Sequence, residues 1–206
     1  MWVPRACAEV VAAIREAKAG RTRPLVVAVD GASGSGKSTL VACVAGGLDA
    51  AVITVDDFFA ADIPEEAWAG FSVEERLRHV FDWQRLREDA IVPLLQGKPA
   101  RWYAFDFEGG VRADGTYGMQ AEPVEVAPAG VILLDGAYSA GPALRDVVDL
   151  AVLLDVPVTV RHARLAARED GAFLAEWHQL WDPVEAYYFT HVRPRSSFDV
   201  VVDAAG

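Results

Sequence analysis

At 206 residues, 52% hydrophobic and 24% charged, the chain has the make-up of a globular protein with a sizeable core. Its formal net charge of −11 excludes broad nucleic-acid binding, which needs a basic face; an anionic ligand must be held here by local donors and a metal ion. No apolar run is long enough to span a membrane, and Arg5, Glu9, Arg15 and Glu16 interrupt any leader pattern. A cytoplasmic protein is expected, in which Cys7 and Cys43, too few for a disulfide framework, are buried thiols.

Residues 4–19 place Cys7, Val10, Val11 and Ile14 on one face between Pro4 and Gly20, which predicts a helix. Residues 25–29 (LVVAV) are apolar on both faces, the pattern of a central parallel strand. A glycine-rich stretch, GASGSGKSTL (31–40), leads into a helix from Lys37 to Ala45 that stops at Gly46 and Gly47. A second buried strand, AVITV (51–55), is halted by Asp56 and Asp57. Ser72 and Glu75 form a capping box, and Asp82 caps a helix running to about Leu95. Residues 101–107 and 122–126 read as strands around a glycine-rich turn, and 130–135 and 150–156 as buried strands. Residues 161–168 are helical, the Asp182–Pro183 step starts a last helix, and 198–203 is the closing strand. Five buried strands alternating with helices predict an α/β architecture, a mostly parallel five-stranded sheet with helices on both faces. No linker or repeat divides residues 1–206, so a single domain is expected.

Residues Gly31 to Ser38 fit G-x-x-x-x-G-K-[ST] at every fixed position, with a strand before and a helix after. Such a loop folds back so that backbone N–H groups converge on phosphate oxygens. Lys37 then reaches the β- and γ-phosphates and the Ser38 hydroxyl ligates Mg²⁺; Gly31, Ser33, Gly34, Ser35, Gly36 and Thr39 complete the nucleotide contacts. Asp56 and Asp57 follow the second strand and Asp135 ends the apolar run GVILLD, so all three reach the sheet edge that faces ligands. One of the first two can accept the proton of an attacking hydroxyl, and Asp135 can bind the metal. The guanine-reading motif of GTPases and the signature of ATP-binding cassettes are missing. Arg161, Arg164 and Arg168 fall near one helix face and could close over phosphates as a lid. The four histidines show no partners, and Trp177 and Trp181, four apart, are expected in the core.

Together these segments resemble the uridine kinase and phosphoribulokinase family of P-loop kinases over about residues 24–203. The segment VDDFF (55–59) is similar to the family's Asp-x-Phe-Tyr, which makes Asp56 the catalytic base beside Lys37. FDF (105–107) resembles its Tyr-Asp-Phe substrate motif, LLDG (133–136) its Glu-Gly strand end, and 161–170 its arginine-rich lid, with Arg168 as catalytic arginine. The resemblance implies an ATP- and Mg²⁺-dependent transfer to a hydroxyl of a small molecule such as a nucleoside. It also implies an insert over about 60–126, a lid over about 161–175, and an acceptor held by Asp57, Phe58, Phe105, Asp106 and Arg112. The family's pyrimidine-reading histidine, three residues after the motif's aspartate, is missing from FEGGVR (107–112). The alternative is a nucleotide-dependent switch protein that docks partners through Phe58, Phe59 and Trp68.

Overall fold

The computed structural model describes residues 2–167 and 171–204. Helix α1 (Val3–Lys18) leads into β1 (Leu25–Asp30), α2 (Lys37–Gly46) and β2 (Ala50–Thr54). The middle of the chain holds α3 (Ala67–Gly70), α4 (Val73–His79), α5 (Trp83–Arg85), α6 (Val92–Leu95) and the strands β3 (Ala100–Phe105) and β4 (Met119–Val126). It closes with β5 (Val131–Asp135), β6 (Leu150–Asp155), α7 (Val158–Ala166), α8 (Gly171–Tyr187) and β7 (Val200–Asp203).

All six residues of β1 are buried, as a strand covered on both faces requires. It pairs in parallel with β5 and β6, β2 adds outside β5 and β7 outside β6, so the order is β2-β5-β1-β6-β7. Side chains alternate along β1: Leu25, Val27 and Val29 pack under α1 and α2, while Val26 joins the core of the opposite face. That opposite core is built largely from the segment between β2 and β5, where Phe58, Trp68, Phe81, Leu86, Ile91 and Trp102 are buried.

Local signals explain much of this segment. Ser72 Oγ accepts from Glu75 N (3.2 Å) while Ser72 N donates to Glu75 Oε2 (2.8 Å), the reciprocal cap that starts α4. Asp82 Oδ1 accepts from Arg85 N at 2.9 Å and starts α5, which continues through a wider π-helical stretch, Leu86–Ile91, into α6. Strands β3 and β4 form an antiparallel hairpin, with Trp102 opposite Val124.

Three expectations are corrected. Cys7 and Cys43 are joined in a disulfide that ties α1 to α2. Residues 51–55 are not wholly strand: β2 ends at Thr54 and a 3₁₀ turn, Val55–Phe58, follows. Pro183 does not start a helix but lies inside α8. An interior proline costs about 3 kcal/mol, but Trp181, Val184 and Tyr188 on either side are buried at about 1.5–3 kcal/mol each, and that outweighs it.

Candidate active site

After Asp30 the chain turns through the glycine-rich loop and enters α2 at Lys37. Gly34 has φ +75°, and a Cβ there would lie 2.7 Å from the Arg161 carbonyl oxygen; Gly36, at φ +97°, is the N-cap of α2. Only glycine meets both demands without strain. No side chain caps α2, so the loop and the helix's first N–H groups form a natural anion site. Ser35 Oγ is buried with no hydrogen-bond partner among the described residues, an open donor in the same loop. Lys37 Nζ lies back over the loop, donating to the carbonyls of Gly31 (2.9 Å) and Ala32 (3.3 Å).

Strand register sets the acidic side of the site. Asp135 stands opposite Val29 on β1 and Thr54 on β2, so it emerges at the carboxyl edge beside the loop. Its carboxyl is hydrogen-bonded to Ser38; burial pushes its pKa up, against the pull of that bond and of the Lys37 charge. The neighbouring acids sit on the 3₁₀ turn, where residues three apart eclipse. Asp56 and Phe59 therefore both face the cavity. Asp57 turns the other way and its Oδ2 accepts from Trp102 Nε1 at 2.8 Å, with burial raising its pKa. Phe58 is fully buried, its ring 5.5 Å from that of Trp102 and 4.6 Å beneath the Arg85 guanidinium. Arg85 also donates to the carbonyls of Asp57 (2.9 Å) and Tyr103 (2.8 Å), clamping the acidic turn to the hairpin.

A cavity of about 800 Å³ joins these groups, within the usual range for small-molecule sites. Its polar end carries Ser33, Gly34, Gly36, Lys37, Ser38 and Thr39 with Asp56 and Asp135. Its apolar end is walled by Phe59, Phe81, Phe107, Tyr138, Trp177 and Trp181. Asp57 and Phe58 do not line the cavity, nor do Phe105, Asp106 and Arg112. Phe105 is buried behind the wall, its ring 5.2 Å from Phe59 and 4.5 Å from Phe107. Asp106 Oδ1 accepts from Glu108 N (3.2 Å) and Gly109 N (3.0 Å) in its own turn, and Arg112 is exposed in the hairpin loop. Arg168 lies outside the described residues. Arg161 and Arg164, from the arginine row, donate to loop carbonyls: Arg161 Nη1 to Ser33 O at 2.9 Å, and Arg164 Nη1 to Ser35 O at 2.7 Å.

Two acids that no motif singles out hold the loop from behind. Asp30 is fully buried and accepts from the backbone N–H of Gly31 (2.7 Å), Tyr138 (2.9 Å) and Ala140 (3.0 Å) and from the Tyr188 hydroxyl (2.6 Å). Burial pushes its pKa up, against the pull of the Tyr188, Ala140 and Gly31 hydrogen bonds and of the Lys37 charge; all four donors suit an ionised carboxylate. Tyr138 sits at φ +63° to present its N–H there, an uncommon conformation for a bulky side chain. Glu185, also buried, accepts from Ser33 N (2.6 Å) and pairs with Arg161 (3.0 Å). The one cue to Asp30 is its place between an apolar strand and the glycines; Glu185 has none.

No protein-family model matches the chain. A uridine kinase of Deinococcus deserti is 30% identical over 181 residues, spanning 85% of this chain and 81% of that protein. A uridine kinase of Alkaliphilus metalliredigens is 26% identical over 180 residues, 84% of this chain and 79% of its own length. The solved structure of a possible uridine kinase from Bacillus stearothermophilus superposes with a TM-score of 0.70 at 19% identity, covering 98% of this chain and 100% of that one. It shares the fold. At the identity and coverage reached by the Deinococcus protein, with a phosphate-binding loop opening the same cavity as two sheet-edge acids, the chain belongs to the uridine kinase family.

Proposed function

We propose that this protein is a Mg²⁺-dependent kinase that moves the γ-phosphoryl group of ATP to a hydroxyl of a small molecule of nucleoside size. The observation that carries this is one cavity with a phosphate cradle and two acids at one end and an aromatic wall at the other. The segment over about 60–126 serves as the acceptor insert and that over about 161–175 as the lid.

Each residue has a task in this reading. The loop N–H groups and the α2 terminus bind the phosphates, and Lys37 leaves the carbonyls of Gly31 and Ala32 to neutralise the transferring group. Ser38 and Asp135, already in contact, would hold Mg²⁺. An ion held there would supply positive charge to offset that of the transferring phosphoryl group. Asp56 orients the acceptor hydroxyl and takes its proton as the new O–P bond forms and ADP leaves. The aromatic wall, Phe59 and Trp181 above all, packs the apolar body of the acceptor and keeps water out.

Nothing favours a switch protein docking partners through Phe58, Phe59 and Trp68: Phe58 and Trp68 are buried, and Phe59 faces the cavity. Lys37→Ala should lower ATP-dependent phosphorylation at least about 10²–10³-fold. A coupled ADP-release assay over nucleosides, sugars, other small alcohols and aminoglycosides tests the reading; near wild-type turnover by the variant would sink it.

A further inference from the structure

His162 of α7 and His178 and Asp182 of α8 converge on one point. Asp182 Oδ2 lies 3.2 Å from His162 Nε2, Asp182 Oδ1 lies 3.0 Å from His178 Nδ1, and the two imidazole rings are 4.1 Å apart. Potential ligand atoms of the three residues all lie within 4.8 Å of one another. Zinc–nitrogen and zinc–oxygen bonds near 2.0–2.2 Å put neighbouring ligand atoms about 3–3.5 Å apart, so small side-chain rotations suffice. His178 and Asp182 are four residues apart on one helix face, the spacing at which a helix offers two ligands to one ion. His162 Nε2 is shielded from solvent and makes no aligned hydrogen bond among the described residues. The other two histidines are elsewhere, His191 stacked on Tyr187 and His79 beside Phe71.

We propose that His162, His178 and Asp182 form a binding site for a divalent transition-metal ion such as Zn²⁺ or Co²⁺, bridging α7 to α8. Two imidazoles and a carboxylate favour such borderline ions over Mg²⁺, which takes oxygen ligands and keeps its waters. This site is separate from the Ser38–Asp135 pair and does not depend on the kinase reading. One turn of α8 beyond Asp182, Glu185 already ties α8 to Arg161 of α7 and to Ser33 of the loop. A bound ion adds a second tie between the same helices, beside the arginines that touch the loop carbonyls.

The test is a Co²⁺ titration of the tag-free chain in excess Mg²⁺, which occupies oxygen-ligand sites, followed by visible absorption and calorimetry. One ion per chain is expected, with micromolar or tighter affinity, visible bands of nitrogen-ligated Co²⁺, and a Tm rise of roughly 5–10 °C at a hundredfold excess over Kd. His162→Gln, His178→Gln and Asp182→Asn should each weaken binding tenfold or more. Should any variant misfold by circular dichroism, proton NMR of the unaltered chain decides instead: Co²⁺ must shift two of the four imidazoles. A chain that binds no Co²⁺ below millimolar, variants that bind like the wild type, or unshifted imidazoles would overturn the proposal.

Discussion

In the proposed reading, the adjacent acids Asp56 and Asp57 divide catalysis and stability between two neighbouring residues. Asp56→Asn keeps the shape of the turn but removes the proton acceptor, so turnover should fall about 10²–10⁴-fold with little change in ATP affinity. Asp57→Ala should leave turnover within a few-fold and instead lower stability by about 1–3 kcal/mol, because the buried Trp102 N–H loses its acceptor. Saturating-ATP kinetics and urea melts on the same two variants tell these outcomes apart; the reverse pattern would put the base on Asp57. Asp30 is more demanding. Asn at that position would point an NH₂ group at N–H or O–H donors and leave at least one of them unpaired. A loss of about 3 kcal/mol is expected, or about 6–12 °C in Tm for a chain of this size. A melting curve within two degrees of wild type would show that the carboxylate is not what holds the loop.

At the scale of elements, the disulfide between Cys7 and Cys43 closes a loop of 36 residues around β1 and the phosphate-binding segment. Loop entropy assigns such a bridge about 4 kcal/mol. Reduction, or Cys7→Ser, should therefore lower the denaturation free energy by about that amount while leaving the cavity lining in place. Chemical denaturation with and without reductant checks it, and identical midpoints would remove the bridge from the account. Element type was largely legible in the sequence. Apolar runs marked the five sheet strands, Ser72 with Glu75 marked α4, and the glycines with Lys37 and Ser38 marked the loop. What failed were pairings and local turns. Cys7 and Cys43 meet only because α1 and α2 pack side by side on one sheet face. The 3₁₀ turn after β2 is held by Arg85, 28 positions from Asp57, and no nearby residue announces that contact. The imidazoles His162 and His178 come together only once α7 lies along α8.

For the whole molecule, the readable part of the site is the part that handles phosphate, since that chemistry fixes residue types at fixed spacing. The acceptor end is lined by aromatics brought in from five separate segments, and Asp57, Phe58, Phe105, Asp106 and Arg112, which the resemblance implies as acceptor contacts, lie outside that lining. Residues 107–112 (FEGGVR) also lack the histidine that the resemblance implies as pyrimidine reader. A pocket without that polar reader loses strong discrimination. Uridine and cytidine should be poor substrates, with kcat/KM below about 10⁴ M⁻¹s⁻¹; a value near 10⁷ M⁻¹s⁻¹ for uridine would refute this. The anchoring of Asp30 bears also on how the chain is made. Its partners Tyr138, Ala140 and Tyr188 lie 108, 110 and 158 positions downstream. At ribosomal speeds of about 5–20 residues per second, the last of them emerges about 8–30 s after Asp30 itself. During that interval the nascent phosphate-binding loop lacks the four-donor anchor at Asp30, so nucleotide cannot template the finished loop until Tyr188 has emerged.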